Sequence, residues 1–562
     1  MLLRTWIMVG VLGGTTLAAS ADTLFVASKH LAKDVSRNWL VCNAPLGSWS
    51  AELRSQATHL AAGTETYALS SPGIPELGQT ASLVDALGTT WTLSFSALPH
   101  LQLSAPNGIA DEPKLATTFA WCAPDGDSTG GWLGVEFRGA TSQLYPKKSL
   151  DVELWTDASG STSWDRSFLG MRSDDDWHLF AMYNEPARLN NYVGHKLWRQ
   201  IARVPYLDAE PEVVLGIDQE YVEVFLDGTY HGVFLLTEQL DRKQLKLKKH
   251  DGATRGYMAK GVDNDYGTWM ANPLWCCDNS STYWLGFERM YPDEVIDWQP
   301  MYDHINYLVN SSSPVLWNDQ NRHFSTANSI DWFLHVNTLY ALDNTSKNVI
   351  WARYDAGHPF FLVAWDLDGI MGTNWNGEWI NEHTGLLSNP FFDKLKSDCR
   401  TGGWVDQLLQ RYDVLKSQGF IGDSVLAWMD DAHGLLSSSG AYGREAAVWG
   451  CDPSYAVAHR EWLQRRLSYL DAHLPLLCPS LSEAKKTMKV VPNPSVASAE
   501  LQWAGFRPVD IRILNAQGQT VGGLRVTGER TPLPELPSGL YYLVTEEEYS
   551  SSVLWTVLRQ DP

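Results

Sequence analysis

The sequence predicts an α+β fold, in which a mixed core lies between two β-rich regions, and three observations carry that expectation. Short alternating runs broken by turn clusters fill the region up to about Asp127. Amphipathic helical patterns are confined to the middle of the chain, and alternating strands joined by Gly turns return after about Pro479. A chain of 562 residues is too long for one ordinary core, so two or three folded units are expected.

The first segment, "MLLRTWIMVGVLGGTTLAASA", sets an early Arg4 before an apolar stretch and ends in the small residues Ala19, Ser20 and Ala21. It reads as a signal peptide over residues 1–21, with Asp22 opening the mature chain and export as the consequence. No later run reaches the roughly 18 apolar residues of a membrane-spanning helix, so no transmembrane segment is expected in the mature chain. The 43 Lys and Arg against 65 Asp and Glu leave a net charge of −22, which argues against nucleic acid as a partner.

Residues 22–127 follow as a small β-rich domain, with "WTLSFSALPHLQL" alternating and "SSPGIPELG" breaking the runs. Residues 128–480 form the α+β core. Its expected strands lie at 133–138, 148–155 and 221–226, and its expected helices at 187–203, 329–342 and 454–473. Residues 488–562 read as a C-terminal β-sandwich. The 26 Trp, 22 Tyr and 17 Phe serve either thick cores or sugar-stacking surfaces, and composition leaves both open. Of the seven cysteines at least one stays unpaired within a monomer. Cys276 and Cys277 are adjacent and are not expected to bond each other, while Cys42 with Cys122 is one candidate pair.

The chemistry concentrates in "LDNTSKNVIWARYDAGHPFFLVAWDLDG", Leu342 to Gly369. Two apolar runs flank the turn Asp355-Ala356-Gly357-His358 and form a buried hairpin. With Gly357 as turn centre, Asn348 and Asp366 lie equally far on either side, so antiparallel pairing sets them opposite each other. Asp343, five positions before Asn348, arrives at the same end. Carboxylates gathered at an apolar mouth repel each other unless a cation is present. Mg²⁺ suits Asn348 and Asp366 with a nucleotide completing its shell, which leaves Asp343 to accept or orient a proton. A polar cap on the hairpin, or a Ca²⁺ site built on Asp366 and Asp368, is the other reading of the same spacing.

Upstream, strand parity in "YPKKSLDVELW" places Lys148 on the face of Leu150, Val152 and Leu154, as a cation awaiting a phosphate or a carboxylate. A strand-end lysine reaching to water is the alternative.

Asp343 and Asn348 stand at the D-x-x-x-x-N spacing, followed by a hairpin and a second Asp, an order that resembles the protein-kinase active site. "FRGATSQLYPKKSLDVEL", "FLGMRSDDDWHLFAMYNEPARLNNYVGHKLW", "YVEVFLDGTYHGVFLLTEQLD" and "ALDNTSKN…FLVAWDLDGIMG" together resemble the spore coat protein CotH family of atypical secreted kinases. The resemblance runs from about Arg138 to Gly372. It implies an atypical protein-kinase-like core and ATP-dependent phosphorylation of Ser or Thr on a protein substrate, with Mg²⁺ or Mn²⁺. It implies Asp343 as the catalytic Asp, Asn348 and Asp366 as metal ligands and Lys148 as the phosphate-side cation. Arg138 either reaches a phosphate or pairs with an acid such as Glu136, and Glu238 either lines the nucleotide cleft, pairs with Lys148 or lies on the surface.

The chain departs from ordinary protein kinases in lacking G-x-G-x-x-G, a His-Arg before Asp343, an A-P-E and a Glu within "ARLNNYVGHKLWRQI". A nucleotide-binding pseudokinase, an ATP-dependent adenylylation or glutamylation enzyme, and a non-catalytic adhesion or carbohydrate-binding protein on the same scaffold therefore stay open. The tail, with "PNP", "DIRILNAQGQTV" and "LPSGLYYLV", resembles a type IX secretion sorting domain of the Bacteroidota. That implies passage through the periplasm by the type IX secretion machinery, and release or attachment at the outer cell surface.

Overall fold

The computed structural model describes residues 22–271, 275–479 and 481, and within the C-terminal region 489–491, 493, 495, 498–502, 509–517, 519–526, 530–545 and 552–557. The signal-peptide reading of residues 1–21 lies outside the described residues, as do Pro492 and Pro494 of the "PNP" motif.

The chain opens on a seven-stranded sheet between Thr23 and Phe95, antiparallel except where Thr23–Val26 pairs with His59–Ala62 and Trp39–Cys42 with Thr90–Phe95. Its inner face buries Leu24, Leu40, Leu60, Leu83, Leu93 and Phe95, the apolar positions of alternating runs.

Seven strands then close into a barrel in the order Ser128–Phe137, Leu150–Trp155, Asp176–Phe180, Thr229–Glu238, Gln219–Leu226, His100–Ser104 and Leu115–Cys122. Two of these, His100–Ser104 and Leu115–Cys122, fall before the composition break near residue 127. That break therefore does not separate two sheets, because both early strands supply barrel pairings. Trp121, Leu133, Val152, Trp177, Val224 and Phe234 fill the barrel interior.

Beside the barrel stands a five-stranded antiparallel sheet in the order Tyr283–Trp284, Phe287–Tyr291, Tyr257–Gly261, Val349–Arg353 and Phe360–Ala364. The helix Thr326–Leu339 packs on it and is buried almost all round, so its polar residues need internal partners. Asn328 exchanges two bonds with Leu362, Asp331 pairs with Arg203 and Arg411, and His335 Nε2 faces the Gly194 carbonyl at 2.9 Å. Tyr340, at φ 54°, turns left-handed and ends the helix just before Asp343. The helices Trp404–Ser417, Asp423–Ser438, Ala441–Trp449 and Tyr455–His473 complete this half.

In the C-terminal region a three-stranded and a four-stranded sheet share one apolar cluster that includes Leu501, Ile511, Ile513, Leu543 and Trp555. Among the described residues no helix is long and apolar enough to cross a membrane.

The cysteines depart from expectation. Cys276 and Cys277 do form a disulfide, and Cys399 pairs with Cys478. Cys42 and Cys122 are free and buried, with Cys122 Sγ 3.4 Å from His30 Nδ1.

Candidate active site

The hairpin forms over Val349–Arg353 and Phe360–Ala364, and its register corrects the expected pairing by one residue. Val349 faces Ala364, so the hairpin centre lies between Ala356 and Gly357 and Asn348 extrapolates to Trp365 rather than to Asp366. Asn348 and Asp366 still flank the mouth, because each leaves its strand in the left-handed region, at φ 57° and 55°. A non-glycine residue in that conformation is uncommon, and Asn and Asp tolerate it better than most. The Asn344 amide ties the two strand ends by donating to the carbonyls of Asn348 at 3.3 Å and Trp365 at 2.8 Å. Asn348 N–H donates to the Gly261 carbonyl at 2.7 Å, which anchors the loop to the neighbouring strand.

Asp343 opens a single 3₁₀ turn, half-buried. Burial raises its pKa above the ordinary carboxylate value, Lys347 partly opposes this, and the Asp366 carboxylate adds to it. Asp368 is raised well above the ordinary value by burial and then by Asp366, with Glu185 and Asp343 contributing and a hydrogen bond from Asn184 opposing. The three acids thus share one field. Among the described residues no hydrogen bond or ion pair reaches the side chains of Asp343, Asn348 or Asp366. That donor set, two carboxylates and an amide left open beside a third acid, fits a hard divalent cation. Asp343, Asp366 and Asp368 do not draw together as tightly as Asp165, Asp174 and Asp175, the group among the described residues whose ligand atoms lie within 4.8 Å of one another. In that group Arg172 and Lys243 already neutralise Asp174, and Lys243 also pairs with Asp175.

The expected lysine is misplaced by one position. The strand begins only at Leu150, so the parity that put Lys148 on its apolar face does not extend back to that residue. Lys148 is half-buried and donates to the carbonyls of Gln143 and Tyr145, within 5.6 Å of the Phe137 ring. Lys147 is the buried lysine, paired with Glu445 at 2.7 Å. Glu238 does not meet Lys148 either. It is buried, accepts from the backbone N–H groups of Arg172 and Asp218 at 2.8 and 2.9 Å, and faces Arg199 at 3.6 Å.

Two other cations interact electrostatically with Asp366 without pairing with it. Arg138 lies over the rings of Phe180 and Trp365, at 5.1 and 5.4 Å, and feels Asp151 and Asp366. It makes no ion pair with Glu136 among the described residues. Lys260, on the strand Tyr257–Gly261, lies 5.8 Å from the Trp365 ring centre. Burial lowers its pKa, and Asp366 partly restores it. Trp365, immediately before Asp366, therefore has both cations beside its ring.

The segment "NEPARLNN", to which the sequence pattern assigns no role, binds the acid-bearing loop. Asn184 donates to Asp368 Oδ2 at 2.5 Å, Asn190 to the Asp368 carbonyl at 2.6 Å and to Thr373 Oγ1 at 2.8 Å, and Asn191 Oδ1 accepts from Leu367 N at 3.1 Å. Asn190 and Asn191 open the helix Asn190–Ile201, so its N-terminal turn grips the acid-bearing loop from outside the hairpin. The detectable signal was three Asn just before and within the start of an otherwise apolar helical pattern.

A family model described as CotH kinase protein matches residues 135–419, just over half of the 562-residue chain. No curated protein matches the chain. The matched span holds most of the barrel, the Asn-rich collar, both cations beside Trp365 and the whole acid-bearing hairpin. The chain belongs to the CotH kinase protein family.

Proposed function

We propose that this protein is an exported atypical kinase that transfers the γ-phosphoryl group of ATP to a Ser or Thr hydroxyl of a secreted or surface protein. The observation that carries the reading is the open donor set of Asp343, Asn348 and Asp366, with Arg138 and Lys260 beside it. Asn348 and Asp366 would hold Mg²⁺ or Mn²⁺, which neutralises phosphate charge when bound. Asp343 takes the proton of the acceptor hydroxyl as its oxygen bonds to phosphorus and the bond to ADP breaks. Its burial raises its basicity toward that task. Arg138 and Lys260, rather than Lys148, supply the positive charge facing the phosphates.

Export is supported by the leader pattern of residues 1–21 and by the Cys399–Cys478 disulfide, since such bonds persist in oxidising compartments. The C-terminal region is then a type IX sorting domain that delivers the chain to the cell exterior.

A second reading, a carbohydrate-binding protein on an inactive kinase scaffold, draws on the exposed aromatic side chains of Tyr266, Trp269 and Tyr283. The two separate in one experiment, thermal unfolding with Mn²⁺–ATP and with oligosaccharide. A nucleotide ligand at a hundredfold excess over its Kd stabilises the chain by about 2.7 kcal/mol. A shift with oligosaccharide alone would replace the kinase reading by the second.

A further inference from the structure

The family match ends at residue 419, yet a buried carboxylate beyond it holds residues inside the matched span. Glu445, on the helix Ala441–Trp449, is fully buried. Its carboxylate accepts from Lys147 Nζ at 2.7 Å, Arg188 Nε at 3.0 Å and Val233 N at 2.8 Å. A carboxylate buried to that depth is retained only with full compensation, and these three donors from three separate elements supply it.

Arg188 is the member that leads toward the acids. It sits in the left-handed region at φ 58° and folds its guanidinium back over its own turn, donating to the carbonyls of Tyr183 and Glu185. The same guanidinium donates to the Gly450 carbonyl at 2.6 Å. Tyr442 Oη donates to the Ala187 carbonyl at 2.8 Å, and Asp452 N to the Pro186 carbonyl at 2.9 Å. The helix and its following turn thus hold residues 183–188 at several points. That turn presents Asn184 to Asp368, and the next residues present Asn190 and Asn191 to the same loop.

The geometry points to Glu445 as a positioning residue for the Asp366–Asp368 loop, acting through Arg188 and Asn184. The kinase site of this chain then extends past the family-matched span, and the helix Ala441–Trp449 is part of it. The consequence for metal and nucleotide rests on the proposed function. The mechanical coupling does not.

Hydrogen–deuterium exchange on the full chain tests the coupling directly. In Glu445→Gln, peptides covering 183–191 and 365–373 exchange about tenfold faster or more, because local opening there becomes easier. In the neighbouring Arg444→Lys, which faces Glu223 and Ser94 instead, the 365–373 peptide keeps its protection. Unchanged exchange at 365–373 in Glu445→Gln, with 441–449 exposed, overturns the inference. If Glu445→Gln does not fold, Tyr442→Phe removes one tie from the same helix. It raises exchange at 183–191 and 365–373 by a smaller factor, and no rise overturns the inference equally.

A second readout separates this inference from the kinase reading. Glu445→Gln raises the Kd for Mn²⁺–ATP and the KM for ATP more than a stability loss alone would. A wild-type chain that binds no nucleotide sinks the kinase reading while the exchange result stands. Intact nucleotide binding with unchanged exchange sinks the positioning role alone.

Discussion

Asn184 donates from one side-chain amide to Asp368 Oδ2 at 2.5 Å and to the Trp375 carbonyl at 2.6 Å, so a single residue clamps the acid-bearing loop to the segment that follows it. The bond opposes the rise in the Asp368 pKa that burial and Asp366 impose. Hydrogen bonds to charged groups contribute about 1.5–3 kcal/mol. Asn184→Ala is expected to slow phosphoryl transfer about tenfold or more while the protein stays folded, as read by steady-state kinetics beside circular dichroism.

Asp343 and Asp366 are assigned different tasks, and their variants should differ accordingly. Asp343→Asn removes the proton acceptor and is expected to lower kcat about 10²–10⁴-fold with Mn²⁺–ATP binding retained. Asp366→Asn is expected to lose the thermal shift with Mn²⁺–ATP. Equal nucleotide shifts in both variants would contradict the division of roles.

The two adjacent lysines make a sharp contrast. Lys147→Met removes one of the two cations paired with the buried Glu445 and leaves Arg188 as the other, and breaking a buried pair costs about 3–5 kcal/mol. Lys148→Met loses bonds to two carbonyls at a half-buried site and is expected to cost about 1 kcal/mol. Chemical denaturation of both variants checks the order. A Lys148 variant that folds normally but loses nucleotide affinity would restore that residue to the phosphate site.

Core histidines predict acid sensitivity. Burial pushes His100, His178, His335 and His459 down to about 4 from an ordinary 6.5. The unfolded chain therefore binds more protons than the folded one between about pH 4 and 6.5. Their contribution is full above pH 6.5 and is lost as pH falls through that window. Each unit of depression corresponds to about 1.4 kcal/mol. His459, which stacks on Trp379, is the cleanest probe. His459→Phe should flatten the fall of Tm between pH 7 and 5, and an unchanged slope would exclude that histidine as a contributor.

The Cys399–Cys478 bond closes a loop with a sequence separation of 79. In the chain-entropy description a loop of that size stabilises by about 4–5 kcal/mol, and native bonds typically contribute about 2–5 kcal/mol. Cys399→Ser with Cys478→Ser should lower the denaturation midpoint correspondingly. Mass spectrometry of the exported chain without reduction should find that pair linked and Cys42 and Cys122 free.

The hairpin, the helix before it and the strands at 150–155 and 219–226 were legible in the sequence because alternation and helical period carry them. The placement of Asn348 and Asp366 at the mouth was legible because they stand at the ends of the two apolar runs. The face expected for Lys148 failed because parity counts only inside a strand, and the strand starts two residues later. The Asn-rich collar and Arg138 over Trp365 depend on elements far apart in the chain, and periodicity does not report tertiary neighbours. The same holds for Glu445, whose charge partners lie some 200 to 300 positions away.

The barrel that carries Arg138 is closed, with Ser128–Phe137 pairing on both sides. A closed cylinder offers no unpaired backbone edge, so an extended acceptor polypeptide has nowhere on that wall to join as an added strand. On the proposed kinase reading, recognition would rest on the connecting segments at the cylinder's ends and on side chains around the hairpin mouth. Swapping those segments between relatives should therefore move acceptor preference while the phosphoryl-transfer machinery is left in place.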